Sequence, residues 1–213
     1  SNGNSKRGNG NANNKRGNNG RRGNNRDDRT RRDRDDKLIT NRAQLLEHFP
    51  KNAVVAEIGV AEGKYSEKIL STTKPKELHL IDIWDSERFG ETAMLAVRDK
   101  FKEPIDAGHI VVHRGHSLEV LQGFEDGYFD WIYLDTSHRY RDTLDELECC
   151  RLKVRDGGLI AGHDYASGNI ESGLPYGVVE AVNGFCNTHN WRLAYLTNEA
   201  RRYLSFAITH TTA

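Results

Sequence analysis

Residues 54–66 constrain the fold of this chain more than any other segment, and they read VVAEIGVAEGKYS. The segment starts as a short apolar run rich in β-branched residues, which predicts a buried strand. Gly59 and Gly63 then interrupt the run, and residues 66–70 are typical of the start of a helix. A strand that turns through glycines into a helix N-terminus lets a ligand lie against bare backbone and free N–H groups. The segment therefore predicts a ligand-binding strand–turn–helix unit.

Glu57, close to the end of that strand, limits the kind of ligand that the unit accepts. A carboxylate repels phosphate groups, so a phosphate is not expected beside it. The same carboxylate suits a ligand that offers a cation or hydroxyl donors.

The chain then continues as an alternation of strand patterns and helix patterns. The predicted strands lie at 53–58, 78–84, 109–113, 129–134, 159–162, 192–196 and 203–208. The predicted helices lie at 41–49 with Thr40 as the N-cap, from 66 onward, at 87–101, 140–152 and 178–188. This order predicts an α/β fold: a Rossmann-like, doubly wound, mostly parallel seven-stranded sheet with a C-terminal antiparallel β-hairpin and helices on both faces.

Polar residues gather at the carboxyl ends of all five leading strands. They are Glu57 and Gly59, then Asp82, then residues 115–117 (Gly-His-Ser), then Asp135, and finally His163 with Asp164. Ligands of doubly wound sheets bind outside these strand ends, where the strand order reverses. A polar group at each of the five ends indicates a binding site rather than solvation alone.

Residues 1–36 differ in composition from the rest of the chain. They contain no Val, Ile, Leu, Phe, Tyr or Trp, and they repeat a basic Gly-Asn pattern at 6–9, 15–18 and 21–24. Such a segment cannot bury enough apolar surface to fold, so we expect a disordered basic tail followed by a folded domain at 37–213.

The charge of the chain is divided between these two parts. The 11 Lys and Arg and 5 Asp of the tail give a net charge of +6, which leaves −6 on residues 37–213. The tail either attracts RNA or another polyanion without sequence preference, or serves only as a solubilising segment. It contains no aromatic residue for base stacking, and both readings stay open.

Two further features bear on where the protein works. No apolar run approaches the length that spans a membrane. Cys149, Cys150 and Cys186 are odd in number and lack metal-ligand spacing, so we expect reduced thiols in a cytoplasmic protein.

The motif Glu57-x-Gly59-x-x-x-Gly63 resembles the first motif of class I methyltransferases that use S-adenosylmethionine (SAM), and the likeness extends over residues 40–209. It implies that Asp82 holds the ribose hydroxyls of SAM and that Trp84 either packs on the adenine or belongs to the core. The cofactor-binding residues that the resemblance implies are Glu57, Gly59, Gly63, Tyr65, Ser66, Asp82, Ile83, Trp84, His116, Ser117 and Asp135.

Residues 135–140 (DTSHRY), 162–165 (GHDY) and 177–182 (GVVEAV) are similar to motifs of small-molecule O-methyltransferases of the macrolide-sugar, cephalosporin-pathway and catechol types. The resemblance implies methylation of a small hydroxylated acceptor, assisted by a divalent ion such as Mg²⁺ on Asp135, His163 and Asp164. The matching positions of the catechol type are two Asp and one Asn, and His163 in the middle position departs from that pattern. Alternatively, Asp164 caps its loop and His163 only packs.

His138 follows Asp135 by three residues, where the catechol type has its catalytic Lys. A neutral imidazole is a suitable general base near pH 7, so the catalytic residues implied are His138 and Asp135. The alternative is a solvent-facing residue at a helix start.

Three other functions compete with this interpretation. The chain could methylate RNA or protein, with the basic tail binding the substrate, or it could bind SAM without catalysis. A nicotinamide oxidoreductase is disfavoured because the G-x-G-x-x-G fingerprint is absent.

Overall fold

The computed structural model describes residues 1–3, 37–199 and 203–211. The predicted tail falls on residues 1–36, of which 4–36 lie outside the described residues. The chain divides into two units, Ser1–Asp35 and Asp36–Ala213, and the second unit carries every feature that follows.

The second unit is built on one eight-stranded sheet. Its strands are β1 (Lys37–Ile39), β2 (Val54–Ile58), β3 (Glu77–Asp82), β4 (Ile110–Arg114), β5 (Phe129–Leu134), β6 (Val154–Gly162), β7 (Trp191–Thr197) and β8 (Phe206–His210). Their order across the sheet is β1-β7-β8-β6-β5-β2-β3-β4. All pairings are parallel except those of β8 with β6 and β7. The predicted mostly parallel sheet with an antiparallel C-terminal hairpin is confirmed.

The sheet has one strand more than the seven that the sequence predicts. The additional strand, β1, pairs in parallel with β7, and the backbone N–H of Asn198 donates to the carbonyl of Ile39 at 2.7 Å. Three residues are too few to show the period-2 alternation of a strand. Pairing with β7 is what makes this segment a strand, so sequence periodicity could not reveal it.

Seven helices of the described chain cover the sheet. They are α1 (Arg42–Leu45, continued by a 3-10 turn Leu46–His48), α2 (Lys64–Thr73), α3 (Glu91–Lys100), α4 (Lys102–Asp106), α5 (Ser117–Gln122), α6 (Tyr140–Lys153) and α7 (Val178–His189). The N-cap of α1 is Asn41 rather than the predicted Thr40. The Asn41 side-chain oxygen accepts the backbone N–H groups of Ala43 and Gln44 at 3.0 Å. Asn and Asp are stronger caps than Thr because they reach these donors more readily.

The helices lie on both faces of the sheet, as the two apolar clusters of the core show. Val55 of β2 packs in the cluster that contains Ile69 of α2, whereas its neighbour Ala56 packs in the cluster that contains Leu147 of α6 and Phe185 of α7. Successive strand residues point to opposite faces, so a strand covered on both sides must be apolar throughout. This explains the continuous apolar run that starts the glycine segment.

None of the described helices is long and apolar enough to cross a membrane. The three cysteines are free, as predicted, and Cys150 is fully buried.

The strand order reverses between β2 and β5. From β2 the chain goes to β3 and then β4 on one side, while β5 and β6 lie on the other. Connections leave the carboxyl ends of β2 and β5 in opposite directions, and a crevice remains between them. The residues that follow these two strands therefore face a shared space.

Candidate active site

A cavity of about 1040 Å³ opens at the carboxyl ends of β2, β3, β4 and β5. Its lining includes residues that directly follow each of these strands, among them Gly59, Ile83, Ser117 and Asp135. A volume of this size is at the upper end of the range for small-molecule and cofactor sites. The cavity therefore lies where the topology of the sheet predicts a ligand.

Gly59 permits the loops that follow β2 and β5 to pack closely against each other. Its φ is +88°, and a Cβ atom there would lie 1.9 Å from the backbone oxygen of Asp135. A side chain at this position would force the loops after β2 and β5 apart. Gly59 also lines the cavity, so a ligand can approach its backbone as the sequence predicts.

Gly63 has a packing role that the sequence did not predict. It is the N-cap of α2 with a φ of +71°, and a Cβ atom there would lie 2.9 Å from the ring of Phe101 and 3.3 Å from Val97. The cavity-lining residues do not include Gly63. Its missing side chain lets α2 pack closely on the end of α3, and the ligand contact expected of Gly63 stays a prediction.

Glu57 and Ser66 form a buried pair at the floor of the cavity. The Ser66 hydroxyl donates to Oε2 of Glu57 at 2.5 Å, and both side chains are almost fully buried. Burial raises the pKa of Glu57 to about 8, against the opposing effect of the Ser66 hydrogen bond. Burial therefore favours the protonated form of Glu57, whereas the sequence suggests a charged carboxylate. Ser66 does not line the cavity and acts by holding Glu57.

Asp82 fastens the glycine loop to the end of β3. Its Oδ2 accepts the backbone N–H groups of Val60 and Ala61, both at 2.8 Å, and its Oδ1 accepts that of Trp84 at 2.9 Å. Each carboxylate oxygen has two lone pairs, so Oδ2 is fully used and Oδ1 keeps one free acceptor position. Asp82 and Ile83 both line the cavity, in the positions that the sequence predicts for ligand contact.

Trp84 belongs to the core. The side chain is fully buried, its indole N–H donates to the carbonyl of Ala61 at 3.0 Å, and it is not part of the cavity lining. Of the two predicted roles, the structure supports core packing and not contact with a ligand. The ring turns inward because Trp84 has a φ of +45° directly after the strand end.

The loop after β4 is anchored by a residue that the sequence did not single out. The hydroxyls of Ser117 and Thr136 donate to the two carboxylate oxygens of Glu146, at 2.6 and 2.5 Å. Glu146 lies on α6 and is buried, and burial raises its pKa. It ties the start of α5 to the loop after β5. His116 and Ser117 both line the cavity, as expected for ligand-binding residues.

Two carboxylates and two imidazoles meet at the inner edge of the cavity. His138 Nε2 lies 2.8 Å from Asp164 Oδ2, and His163 Nδ1 lies 3.2 Å from the same oxygen. Asp135 completes the group, with its Oδ1 3.9 Å from His163 Nδ1. The group brings together all four residues that the sequence predicts for catalysis and metal binding.

The electrostatics of this group are set by its hydrogen bonds. The hydrogen bond to Asp164 raises the pKa of His138 above its usual value, although burial opposes it. Burial alone would raise the pKa of Asp164, but the hydrogen bonds from His138 and His163 place it well below the usual range. Burial raises the pKa of Asp135. The group therefore contains a firmly ionised carboxylate beside an imidazole that holds its proton more tightly than usual.

Three of these residues are arranged like the ligands of a metal ion. Asp135, His138 and Asp164 each offer one ligand atom, and these atoms lie within 4.8 Å of one another. This set contains His138 in place of the predicted His163. His163 instead lines a second, water-sized cavity, which Asp135 and Asp164 also line.

Arg42 also reaches the cavity and was missed by the sequence analysis. Its Nη1 lies 3.5 Å from Asp135 Oδ2, and its guanidinium carbon lies 4.6 Å from the centre of the Tyr65 ring. Arg42 and Tyr65 both line the cavity. No motif marks Arg42, because it precedes the glycine segment in a short helix with no pattern of its own.

The segment at 166–176 lies beside His138. The Tyr176 ring is 4.2 Å from the His138 ring, and the backbone N–H of Gly177 donates to the His138 carbonyl at 2.7 Å. Ile170 and Leu174 of the same segment are 83% and 62% exposed. Ile170 and Leu174 are thus exposed apolar side chains in the segment whose Tyr176 packs on His138.

Residues 56–165 match the family described as Methyltransferase domain, and they make up just over half of the chain. The chain belongs to this family. No curated protein sequence is significantly similar to it.

Solved structures with the same fold are distant in sequence. A SAM-dependent methyltransferase from Aquifex aeolicus is 14% identical, with a TM-score of 0.60 over 85% of this chain and 96% of that chain. The M1A22 tRNA methyltransferase TrmK of B. subtilis is 15% identical, with a TM-score of 0.58 over 81% of this chain and 67% of that chain. The [4+2]-cyclase SpnF is 9% identical, with a TM-score of 0.58 over 80% of this chain and 81% of that chain. Some matching structures are longer, and the chain spans 51% of the pyocyanin biosynthetic protein PhzM. These likenesses establish the class I methyltransferase fold.

Proposed function

We propose that this protein is a SAM-dependent methyltransferase that methylates a hydroxyl group of a small molecule. The observation that carries the proposal is the continuity of one cavity. Its lining runs from Asp82 at the end of β3, past Gly59, to the imidazole–carboxylate pair of His138 and Asp164. A cofactor site and a proton-accepting group thus share one space.

The residues of the cavity fit SAM. The bare backbone of Gly59 permits close approach, and Asp82 can accept a hydrogen bond from a ribose hydroxyl. Ile83 and Ser117 flank the same end of the cavity and would contact the nucleoside. When bound, SAM supplies a methyl group on a sulfonium that an acceptor oxygen can displace in line.

His138 is the residue that we assign to the acceptor proton. Its Nε2 lies 2.8 Å from Asp164 Oδ2, so a neutral His138 that donates from Nε2 keeps its lone pair on Nδ1. Nδ1 is then the atom that takes the proton of the acceptor hydroxyl. Asp164 holds the ring in this tautomer and stabilises the imidazolium that forms, and Tyr176 packs against the ring.

Asp135 and Asp164 are the proposed ligands of a divalent ion, together with His138 or His163. Carboxylates suit Mg²⁺ and Mn²⁺, and an imidazole in the set favours the transition ions. A bound ion would lower the pKa of a coordinated hydroxyl. One nitrogen cannot serve as both ligand and hydrogen-bond donor to Asp164, so a role for His138 as base leaves the imidazole ligand position to His163.

The acceptor class follows from the segment at 166–176 and from the charge of the domain. Ile170 and Leu174 are exposed in the segment whose Tyr176 packs on His138, and they suit an acceptor with an apolar body. The net charge of −6 on residues 37–213 disfavours a polyanion at this surface. RNA is the competing acceptor, and the basic segment at 1–36 is the feature that favours it.

Calorimetry with S-adenosylhomocysteine tests the cofactor assignment. Asp82→Ala should weaken binding by about tenfold or more, the size of the loss when a charged hydrogen-bond acceptor is removed. The matched control is Asp99→Ala, which removes an exposed carboxylate on α3 and should leave the affinity unchanged. Asp82 also holds the glycine loop, so the thermal stability of both variants must be measured. An Asp82→Ala variant that unfolds at the wild-type temperature but binds more weakly has lost a ligand contact and not its fold. Unchanged affinity in Asp82→Ala contradicts the assignment.

Methyl transfer to a panel of phenols, sugars, other hydroxylated small molecules, RNA and protein tests the acceptor class. The full chain and a chain that starts at Lys37 should methylate the same small hydroxylated compound at similar rates. Transfer to RNA alone, lost when residues 1–36 are removed, contradicts the small-molecule acceptor but leaves the methyltransferase assignment standing.

A further inference from the structure

Arg42 occupies a position that the proposed chemistry leaves unexplained. It lies on α1, before the methyltransferase motif begins, yet its guanidinium reaches the cavity between Tyr65 and Asp135. Tyr65 lies in the first turn of α2, and the Asp135 backbone packs against Gly59. The guanidinium is therefore at the end of the cavity formed by the glycine loop, whereas Asp82, Ile83 and Ser117 line the loops after β3 and β4.

The other cations that line the cavity are engaged elsewhere. Among the described lining residues they are Lys64 and Arg88. Lys64 is 80% exposed and forms an ion pair with Glu62 at 2.5 Å. Arg88 is exposed and stacks its guanidinium on the Phe89 ring. Among the Lys and Arg side chains of the described residues, only Arg42 places a half-buried positive charge beside the glycine loop, where a charge–charge contact is less screened by water.

The contact that Arg42 makes with Asp135 leaves room for a second anion. At 3.5 Å it is at the limit of hydrogen-bond length, and it engages only Nη1. A guanidinium has five N–H donors in a planar fork that suits a carboxylate in bidentate fashion. Stacking on Tyr65 fixes the plane of that fork and lowers the entropy cost of binding.

We propose that Arg42 binds the carboxylate of the amino-acid end of SAM and of its product. The assignment rests on the proposed function, because it needs a ligand with an α-carboxylate in this cavity. It gives the cavity two ends: the nucleoside lies toward Asp82 and Ser117, and the amino acid lies toward Arg42. Asp82, Asp135 and Glu146 also line the cavity, so a cation at this end offsets their repulsion of an anionic group.

The same assignment explains why the chain needs β1 and α1. The backbone N–H of Arg42 donates to Glu199 Oε1 at 2.8 Å, and Thr197 donates to Glu199 Oε2 at 3.3 Å. Together with the pairing of β1 on β7, these bonds fasten the segment that carries Arg42 to the C-terminal part of the sheet. The extra strand thus positions a ligand-binding residue.

Two ligands distinguish carboxylate binding by Arg42 from a general distortion of the cavity by the substitution. S-adenosylhomocysteine has the amino-acid end, and 5′-methylthioadenosine has the same nucleoside and thioether but lacks that end. Calorimetry on the full chain should show that Arg42→Gln weakens S-adenosylhomocysteine binding by about tenfold or more, as for one lost charged hydrogen bond. The affinity for 5′-methylthioadenosine should change by less than about twofold, which also shows that the variant is folded.

Arg42→Lys should fall between wild type and Arg42→Gln for S-adenosylhomocysteine, because it keeps the charge and loses the fork. The matched control Arg98→Gln removes an exposed guanidinium on α3 and should leave both affinities unchanged. An equal loss for both ligands, or no loss for S-adenosylhomocysteine, overturns the role of Arg42 and leaves the proposed function intact. A wild-type protein that binds neither ligand overturns both.

Discussion

The domain contains two buried or half-buried pairs of side chains that include histidine, and their imidazole pKa values shift in opposite directions. His79 of β3 and His113 of β4 face each other with Nδ1 of the first 2.9 Å from Nε2 of the second. His138, beyond the end of β5, instead meets the carboxylate of Asp164 at 2.8 Å. Burial lowers the pKa of His79 to about 4, whereas the hydrogen bond to Asp164 raises the pKa of His138.

The difference follows from the position of each histidine along its strand. The His79 ring packs edge-on against the rings of Phe124, Tyr128 and Phe129, and its Nε2 lies 3.0 Å from Glu77 outside hydrogen-bonding geometry. A side chain in the middle of a covered strand points into a packed layer, where a proton is costly. A side chain past the strand end points into the crevice, where a carboxylate can stabilise the imidazolium. The same residue type therefore serves packing at one place, and at the other it lies where the proposed mechanism needs a proton acceptor.

The largest expected effect is on the rate of methyl transfer, which should depend on His138 and not on His79. His138→Ala should lower methyl transfer by about 10²- to 10⁴-fold, the usual contribution of a general base. Its affinity for S-adenosylhomocysteine should stay within a small factor, because the residue acts on the transition state. Steady-state kinetics and calorimetry measure the two quantities.

His79→Phe is the comparison for that experiment and should turn over at nearly the wild-type rate. Full activity of His138→Ala at neutral pH would remove the base from the mechanism and leave positioning of the reactants. A loss in His79→Phe as large as that in His138→Ala would abolish the contrast.

The second effect concerns stability in acid. Unfolded His79 titrates near 6.5 and folded His79 near 4, so the unfolded state binds more protons between these pH values. The stability contributed by the neutral ring is complete above about pH 6.5 and is lost as the pH falls toward 4, by on the order of 3 kcal/mol. Glu77, His113 and Tyr128 are the titratable groups that face the ring.

Urea unfolding of wild type and His79→Phe at pH 7 and pH 4 measures this difference. The variant should lose less stability than wild type over the same interval, because carboxylates elsewhere contribute equally to both. The exposed His109 provides the control His109→Phe, which should keep the wild-type pH dependence. An identical pH dependence in all three proteins would show that the buried pair does not titrate as described.

The smallest effect distinguishes the two imidazoles beside Asp164. Titration of the metal-free protein with Mn²⁺ and Mg²⁺ should show binding that Asp135→Asn weakens by about tenfold or more. If His163 is the imidazole ligand, His163→Ala weakens binding more than His138→Ala, and His79→Phe leaves it unchanged. Full turnover in EDTA would exclude the ion and would leave the role of His138 as base untouched.

The architecture of this protein could be predicted from its sequence because the relevant signals are local. Alternating apolar and polar segments define the strands and helices, and turn residues mark where each strand ends. Parallel strands must end at one edge of a sheet, so the polar residues at those ends could be placed together without knowing any contact. Glu57, Asp82, Asp135 and Asp164 were found in this way.

Only the tertiary structure showed the protonation preference, packing and hydrogen-bond partners of these residues, because the partners are distant in sequence. Burial raises the pKa of Glu57, and Gly63 packs near Phe101 rather than lining the cavity. Arg42 meets Asp135 across 93 residues, and Ser117 meets Glu146 across 29. Periodicity records which face of an element a residue occupies, but it carries no information about which residue of another element packs against it. The partners of each side chain at the site are therefore a property of the assembled sheet and helices.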